Sequence, residues 1–431
     1  MRSTAAQLTD APPPDRVPSG SAASPHRLPA QLLRPNDDVA TALADLPAGT
    51  VLHLTSGPVS REISLQQDLQ TGHKFAVRAL ASGLRVRKYG EFIGRTMKAV
   101  APGEWVHVHN LETNARHGGR QEQAWYESAE MPRELQVLGD VRCCVGESPL
   151  YDESRDRIFW IDVRETSAIH AISLQSGAQA HWPMPEDVGS IALAGDDRLL
   201  VALRSGFAWF DCTSGELSGI LDPEPGLPLN RLNDGRCDAA GRYWCGSMNP
   251  ESGTADGNLY RLDRNLRCVR ILDDLLTPNG MNWSPDGSTM YLADTRRGLI
   301  YAYPFDAASG TLGQRRVFAD VGAMPGSPDG ATIDAEGCLW WAHFEGGCLV
   351  RYLPDGAISR VIRLPVTKPT ACGFGGLGYR RLYVTTATRG LSEEDLQAEP
   401  LAGRLLSLDV GVAGVPPMPF LPDPLPEGGA P

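Results

Sequence analysis

The last two-thirds of the chain repeat one unit, and this repeat limits the possible fold more than any other feature. Each unit of about 40–50 residues holds two strand-like runs that short polar turns such as Asp-Gly delimit. The first runs lie at 158–162, 199–202, 242–245, 289–294, 338–342 and 381–385. The second runs lie at 167–172, 206–210, 257–262, 298–303, 347–352 and 403–408. This spacing is typical of four-stranded propeller blades, and six copies predict a six-bladed β-propeller over residues 134–431.

Four polar segments stand in the same phase of the repeat, each just ahead of a predicted strand. They are Gly-Glu-Ser-Pro at 146–149, Arg-Leu-Asn-Asp-Gly at 231–235, Pro-Asn-Gly at 278–280 and Ser-Pro-Asp-Gly at 327–330. Only a closed ring, and not a solenoid, brings such segments together. A ring that turns Glu147, Asn233, Asn279 and Asp329 to its axis makes an oxygen-rich socket for a hard cation. Three of them, Glu147, Asn279 and Asp329, supply ligands and leave positions open for water and substrate.

Each segment taken alone is also a turn signal, because Asp-Gly and Asn-Gly are common turn dipeptides. The similar run Ser-Pro-Asp-Gly at 284–287 is a hairpin turn at the opposite end of its strand. The cation site is therefore predicted from the shared phase of the four segments.

Charge and composition exclude several classes of function. The formal net charge is −12, which disfavours non-specific binding to nucleic acid or to anionic membranes. No run approaches the roughly 20 apolar residues of a membrane span. The nine cysteines include no C-x-x-C, which indicates reduced thiols in a cytoplasmic protein. Residues 1–25 lack the apolar core of a secretion signal and are predicted to be a disordered tail.

The chain ahead of the repeats forms a different module. Residues 26–113 are expected to fold as a small β-rich α+β domain, followed by a polar linker over 114–133. Asn36 or Asp37 is expected to cap a helix over 39–46. Strands are expected at 50–54, 75–78 and 105–109, so the whole chain is predicted to be mainly β.

Several common catalytic motifs are missing or lack their structural context. There is no Gly-x-Ser-x-Gly elbow and no Walker motif. Residues 373–378 match the letters Gly-x-Gly-x-x-Gly, but a predicted strand follows where a dinucleotide site needs a helix. A glycine-rich loop is therefore the favoured interpretation.

From about 138 to 420 the chain resembles the SMP-30/gluconolactonase/regucalcin-like family. The resemblance rests on the four polar segments, on Gly-Arg-Tyr-Trp-Cys-Gly-Ser-Met at 241–248 and on Trp-Ser-Pro-Asp-Gly at 283–287. It implies a six-bladed propeller that holds one divalent metal ion (Ca, Zn, Mg or Mn) and hydrolyses sugar lactones. It further implies Glu147, Asn279 and Asp329 as metal ligands, and Arg231 and Asn233 as substrate contacts.

The implied chemistry suits these side chains. A metal can polarise the lactone carbonyl or activate water, and Asp329 can serve as the base. Arg231 can stabilise the oxyanion or hold ring hydroxyls, which Asn233 can also bind. Asp234 either holds Arg231 in place or only caps a turn. His343 either lines the pocket or is a surface or packed histidine.

The front module resembles the SAF-like domain of the altronate/galactarate dehydratase (UxaA) family. The match rests on polar, glycine-rich segments at 72–76, 88–94 and 103–110. The large catalytic domain of those dehydratases is absent, so dehydration is not implied. The resemblance implies a domain that helps to bind sugar acids beside a catalytic partner.

Basic residues of this module are candidates for an accessory site. His107 and His109 would share one face of a strand and with His73 could bind a metal; the alternative is a polar strand face and a solvated loop. His73, Lys74 and Lys88 could instead contact a sugar-acid carboxylate.

Both resemblances indicate sugar-acid catabolism. We therefore expect a metal-dependent sugar lactonase with a dehydratase-type accessory domain, whose partners are a sugar lactone and a sugar-acid dehydratase subunit. Two alternatives stay open: a regucalcin-like metal-binding regulatory protein, and a propeller hydrolase of other esters such as phosphotriesters. A more aromatic pocket would favour the second, and metal binding without lactone turnover would favour the first.

Overall fold

A computed structural model describes residues 29–112, 129–195, 197–322 and 324–424. The predicted tail over 1–25 and most of the predicted linker over 114–133 lie outside these residues. The described chain contains one α-helix, α1 (Glu393–Ala398), which Ser392 caps at its N-terminus. No helix in the described ranges is long and apolar enough to cross a membrane.

The front module consists of short antiparallel strands. They are β1 (Ala30–Gln31), β2 (Val39–Ala42), β3 (Val51–Ser56), β4 (Val59–Ser64), β5 (Lys74–Ala76), β6 (Arg85–Lys88), β7 (Glu91–Thr96), β8 (Trp105–Val106) and β9 (Leu111–Glu112). One sheet has the order β1-β2-β5-β8, a second has the order β6-β7-β9, and β3 and β4 form a hairpin.

The helix predicted over 39–46 is wrong. Val39–Ala42 is instead strand β2, which pairs with β1 on one side and β5 on the other. The carboxylate of Asp37 caps no helix, because it accepts hydrogen bonds from the backbone N–H groups of Arg34 (3.1 Å) and Gly90 (2.8 Å). Pairing with two neighbouring strands satisfies the backbone of this segment, so local helix propensity does not decide its structure.

The rest of the described chain is built from 25 strands. They are β10 (Arg133–Leu138), β11 (Gly146–Asp152), β12 (Arg157–Asp162), β13 (Ala168–Ser173), β14 (Gln179–Pro183), β15 (Val188–Leu193), β16 (Arg198–Leu203), β17 (Gly206–Asp211), β18 (Leu217–Leu221), β19 (Arg231–Cys237), β20 (Tyr243–Met248), β21 (Gly257–Leu262), β22 (Cys268–Leu275), β23 (Pro278–Trp283), β24 (Thr289–Asp294), β25 (Leu299–Asp306), β26 (Thr311–Leu312), β27 (Arg316–Asp320), β28 (Ser327–Ile333), β29 (Leu339–Phe344), β30 (Cys348–Tyr352), β31 (Ile358–Arg363), β32 (Pro369–Gly375), β33 (Arg381–Thr386) and β34 (Leu405–Asp409).

These strands form six antiparallel sheets arranged in a ring. The sheets begin with β11, β15, β19, β23, β28 and β32. Each of these first strands contacts the first strand of the next sheet, and β32 contacts β11. The last sheet takes its outermost strand from the N-terminal side of the ring, because β10 pairs with β34. The predicted β-propeller architecture is confirmed.

A buried aspartate anchors the turn between the first two strands in two of the sheets. In β28–β29, Asp334 accepts a 2.9 Å hydrogen bond from Nε1 of Trp340 and pairs with Arg351. In β19–β20, Asp238 likewise accepts from Trp244 and pairs with Arg242. The indole rings then pack between neighbouring sheets. Seven of the nine cysteines are also buried, and all nine are free thiols.

Candidate functional site

The four polar segments lie at the start of four first strands of the ring, namely β11, β19, β23 and β28. In each case the pairing with the second strand shifts register directly at the segment. Such a β-bulge turns side chains away from the regular alternation of the strand. Ser148 and Gly280 adopt positive φ angles of 50° and 63° within two of these bulges. The shared phase seen in the sequence is therefore a shared bulge.

A chain of hydrogen bonds links three of the predicted site residues across three sheets. Nδ2 of Asn233 donates to Oδ1 of Asn279 at 2.6 Å. Nδ2 of Asn279 in turn donates to Oδ1 of Asp329 at 2.7 Å. All three side chains are buried. The ring therefore brings together residues that lie far apart in the sequence.

Glu147 belongs to the same cluster, as its electrostatics show. Burial raises the pKa of Glu147 well above its usual range, and the nearby carboxylates of Asp329 and Asp234 raise it further. The pKa of Asp329 is also raised, chiefly by burial and then by Asp234. Arg231 is the positive charge that opposes both of these shifts. The site thus concentrates negative charge where little water can screen it.

Arg231 stands at the start of β19 with part of its guanidinium uncommitted. Nη1 donates to the carbonyl oxygen of Leu232 at 2.9 Å. Nε is buried and has no hydrogen-bond partner in the described chain. Burial lowers the pKa of Arg231 to about 10, so the side chain stays cationic at neutral pH. A substrate oxygen would satisfy the buried N–H.

Asp234 does not hold Arg231 through a hydrogen bond. Its two carboxylate oxygens accept from the backbone N–H groups of Gly235 (2.9 Å) and Gly280 (2.7 Å). Burial raises the pKa of Asp234, while Arg236 opposes that shift. Of the two alternatives for Asp234, the structure therefore shows the cap of a turn. The same carboxylate also joins β19 to the bulge of β23.

His343 is a packed residue. It is fully buried, with Nδ1 3.1 Å from the carbonyl oxygen of Pro325 and Nε2 3.2 Å from the hydroxyl of Tyr352. Burial lowers its pKa to about 4, so it is neutral near pH 7. Both ring nitrogens are engaged, which leaves no edge for a substrate.

Trp341 and Arg236, which the sequence did not single out, contact the strands that carry the site. Nε1 of Trp341 donates to the backbone oxygen of Asp329 at 2.8 Å. The Trp341 ring leaves no room for a side chain at Gly280, since a Cβ there would lie 2.4 Å from it.

Arg236 bridges neighbouring sheets, donating to Oδ1 of Asn282 (2.6 Å) and to the backbone oxygen of Ala331 (2.9 Å). The sequence offers one signal for Trp341, namely the adjacent tryptophans at 340 and 341. Neighbouring residues of a strand face opposite sides, so two large rings in succession indicate a strand that is buried on both faces.

Three histidines of the front module gather around one tryptophan. The ring of Trp105 stacks on His73 (4.5 Å between centroids) and His107 (4.9 Å), and lies 5.2 Å from His109. The strand predicted over 105–109 ends at Val106, so the argument from a shared strand face was wrong although the residues do meet. Nowhere in the described ranges are three or more His, Cys, Asp or Glu side chains grouped to hold a metal.

The basic side chains nearby form a second group. Lys88 is buried, and its Nζ lies 4.3 Å from the ring centroid of Tyr89. Hydrogen bonding to Lys88 lowers the pKa of Tyr89, and the charge of Lys74 adds to this effect. A sugar-acid contact by His73, Lys74 and Lys88 stays a prediction.

Comparison with known proteins shows the families that the two parts of the chain resemble. The profile of the SMP-30/Gluconolactonase/LRE-like region matches residues 145–388, and that of the altronate/galactarate dehydratase SAF domain matches residues 30–114. A 6-deoxy-6-sulfogluconolactonase of Pseudomonas putida is 34% identical over 272 residues, covering 63% of this chain and 92% of that protein. An L-arabinolactonase of Azospirillum brasilense is 35% identical over 283 residues, covering 65% of this chain and 93% of that protein.

A solved structure agrees with these relatives. The calcium-binding protein regucalcin of Agrobacterium tumefaciens superposes with a TM-score of 0.65 at 30% identity, covering 68% of this chain and 99% of that one. The part of this chain that regucalcin matches is about as long as the propeller, and the same holds for the matches to the two lactonases. Over more than half of its length, the chain therefore belongs to the SMP-30/gluconolactonase/LRE-like family.

Proposed function

We propose that this protein hydrolyses a sugar lactone to the corresponding sugar acid with the help of a bound divalent cation. The observation that carries the proposal is the buried chain Asn233–Asn279–Asp329, with Glu147 and Arg231 beside it. Relatives that match the propeller over nearly their whole length are sugar lactonases. The site has the oxygen donors and the cationic N–H that lactone opening needs.

Glu147, Asn279 and Asp329 fit a hard divalent cation. Two carboxylates and an amide oxygen are suitable donors, and the repulsion among Glu147, Asp234 and Asp329 is what a cation would relieve. In the structure, Asn279 presents Nδ2 to Asp329. As a ligand it would present Oδ1 there, and the half-turn of the amide that this requires would also end the hydrogen bond from Nδ2 of Asn233 to Oδ1. A cation held by these residues would supply polarisation of the lactone carbonyl and a lower pKa for its bound water.

The protein residues then bind substrate and move a proton. Arg231 donates its unpartnered Nε–H to a lactone or hydroxyl oxygen. Asp329 accepts the proton of the attacking water on a carboxylate oxygen. As the ester C–O bond breaks, Asp329 returns this proton to the ring oxygen, which leaves as a hydroxyl. The carbonyl carbon becomes the carboxylic acid of the product, which releases its proton to water to give the carboxylate. Nδ2 of Asn233 also donates to the backbone oxygen of Pro278 at 3.0 Å, and this contact leaves the amide oxygen of Asn233 for substrate hydroxyls.

A panel of lactones tests the proposal and identifies the substrate. The full chain is assayed with a divalent cation on glucono-, galactono-, xylono-, arabinono- and galactarolactone, with acid release followed by pH-stat. We expect one or more lactones to open well above the spontaneous rate, and Asp329→Ala to abolish the gain. The matched control is Asp286→Ala, which changes an aspartate of the same Ser-Pro-Asp-Gly motif in an exposed hairpin turn.

The same panel decides between the proposal and its rivals. Cation binding without opening of any lactone would contradict the lactonase and favour a metal-binding protein, as the relative described as calcium-binding suggests. Turnover of phosphotriesters but not lactones would favour the other hydrolase class. Association of the front module with a sugar-acid dehydratase subunit is a separate proposal, which co-purification tests.

A further inference from the structure

The front module lies against the end of the ring at which the polar segments begin. Its backbone N–H groups at Ala81 and Arg85 donate to the carbonyl oxygens of Gly253 (2.9 Å) and Arg296 (3.0 Å). Both acceptors lie in loops between the second and third strands of their sheets. In an antiparallel sheet these loops lie at the same end as the start of the first strand. The module therefore covers the side of the propeller that carries the candidate site.

One contact reaches the segment that carries Asp329. Nη1 of Arg85 donates to the backbone oxygen of Gly326 at 2.7 Å and lies 3.2 Å from Oγ of Ser327. Arg85 is only 5% exposed, and its guanidinium stacks on Phe92 at 3.7 Å. Ser327 is two residues ahead of Asp329 on β28. A rigid, buried side chain of the front module thus fixes the start of this strand.

A second contact reaches the segment that carries Asn279. Leu276 is 1% exposed and belongs to the hydrophobic core of the front module, where it packs in one cluster with residues such as Leu80 and Val86. The backbone N–H of Leu276 donates to Asp294 at 3.0 Å. Asn279 follows Leu276 by three positions along the chain. Two of the three proposed ligand segments are therefore held by the module.

We infer that the front module is a structural part of the lactonase site, and that Arg85 is a positioning residue for the segment bearing Asp329. The importance of Arg85 for catalysis rests on the proposed function. Its role in positioning does not, because the contacts of Arg85 and Leu276 place two of the ligand segments relative to each other. Residues that orient ligands typically change metal affinity about 10- to 100-fold when removed.

The test uses the full chain stripped of metal and titrated with Mn²⁺ by calorimetry. We expect Arg85→Ala to weaken Mn²⁺ binding by about 10- to 100-fold and Arg85→Lys to restore part of the affinity, because one amine can still reach one acceptor. Arg95→Ala is the matched control, since Arg95 makes a 3.0 Å ion pair with Asp320 across the same interface without touching a ligand segment. The Arg95→Ala variant should bind Mn²⁺ with nearly the affinity of the unsubstituted protein.

Amide hydrogen exchange of the metal-free protein gives a second readout that needs neither activity nor metal. Arg85→Ala should speed exchange in peptides over 326–331, and Arg95→Ala should not. Unchanged affinity and exchange in Arg85→Ala, or equal losses in both variants, would overturn the inference. If the unsubstituted protein binds Mn²⁺ but opens no lactone, the proposed function fails while these comparisons still decide the role of Arg85. If it binds no Mn²⁺, the exchange result decides.

Discussion

Nδ2 of Asn279 donates a 2.7 Å hydrogen bond to Oδ1 of Asp329, across the boundary between two neighbouring sheets of the ring. The two residues are fifty positions apart in the sequence and are buried side by side. Two β-bulges in the same phase of the repeat make this contact possible. The bond therefore connects the repeat pattern of the sequence to the chemistry of the site.

Loss of the Asn279 amide should disable the site. Asn279→Ala removes a proposed ligand and the partner of both Asn233 and Asp329. We expect lactone hydrolysis to fall by at least about 100-fold, more than the loss of a merely orienting residue produces. Asn265→Ala, at a surface turn, is the control. Activity within a few-fold of the unsubstituted protein would remove Asn279 from the site.

Arg231 should affect catalysis far more than folding. Among the residues that the structure describes, its side chain donates one hydrogen bond, to Leu232, and its Nε has no partner. Arg231→Ala should therefore lower kcat/KM for the lactone by about 100-fold, the scale of one lost oxyanion donor. Circular dichroism should show an unchanged thermal transition. Equal losses of stability and activity would indicate a structural role instead.

The buried Asp334 should contribute strongly to stability. It accepts a hydrogen bond from Trp340 and pairs with the largely buried Arg351, so Asp334→Ala removes the buried carboxylate and leaves Arg351 its ion pair with the exposed Glu336. Breaking a buried pair on one side typically costs about 3–5 kcal/mol. Urea denaturation should show a loss on this scale, whereas Asp355→Ala in an exposed turn should change little. A similar change in both variants would contradict the anchoring role of Asp334.

The buried His343 predicts a loss of stability in acid. Burial lowers its pKa from 6.5 to about 4, so below pH 6.5 the unfolded chain binds a proton that the folded chain does not. The contribution of His343 to the free energy of unfolding is fully present above about pH 6.5 and declines as the pH falls towards 4. His343→Gln should flatten the change in unfolding free energy between pH 7 and pH 4.5. The exposed His53, changed to Gln, should leave the pH dependence intact. An equal slope in both variants would contradict this account.

The proximity of the candidate site residues was predictable because these residues recur in phase, whereas other features depend on distant neighbours. Glu147, Asn233, Asn279 and Asp329 all stand at the same point of the repeat. Trp341 and Arg236 lack such a mark, because their roles come from contacts with other sheets. Their positions follow from the assembled ring and not from local sequence.

The front module shows the limits of local reasoning. Segment 39–46 has helix-like signals, yet strands on both sides satisfy the backbone of its first four residues. The strand expected over 105–109 stops at Val106, because the side chain of Asn110 bonds the backbone of Trp105 and His107 and closes a turn. In both cases a tertiary or side-chain contact outweighs the periodic pattern.

Removal and restoration of metal test the central claim most directly. The full chain is treated with a chelator, assayed on the lactone that the panel identifies, and assayed again after Ca²⁺, Mg²⁺, Mn²⁺ or Zn²⁺ is added. The account predicts that hydrolysis falls to the spontaneous rate without metal and returns with at least one of these ions. A chelated, metal-free protein that opens the lactone at the full rate would contradict it.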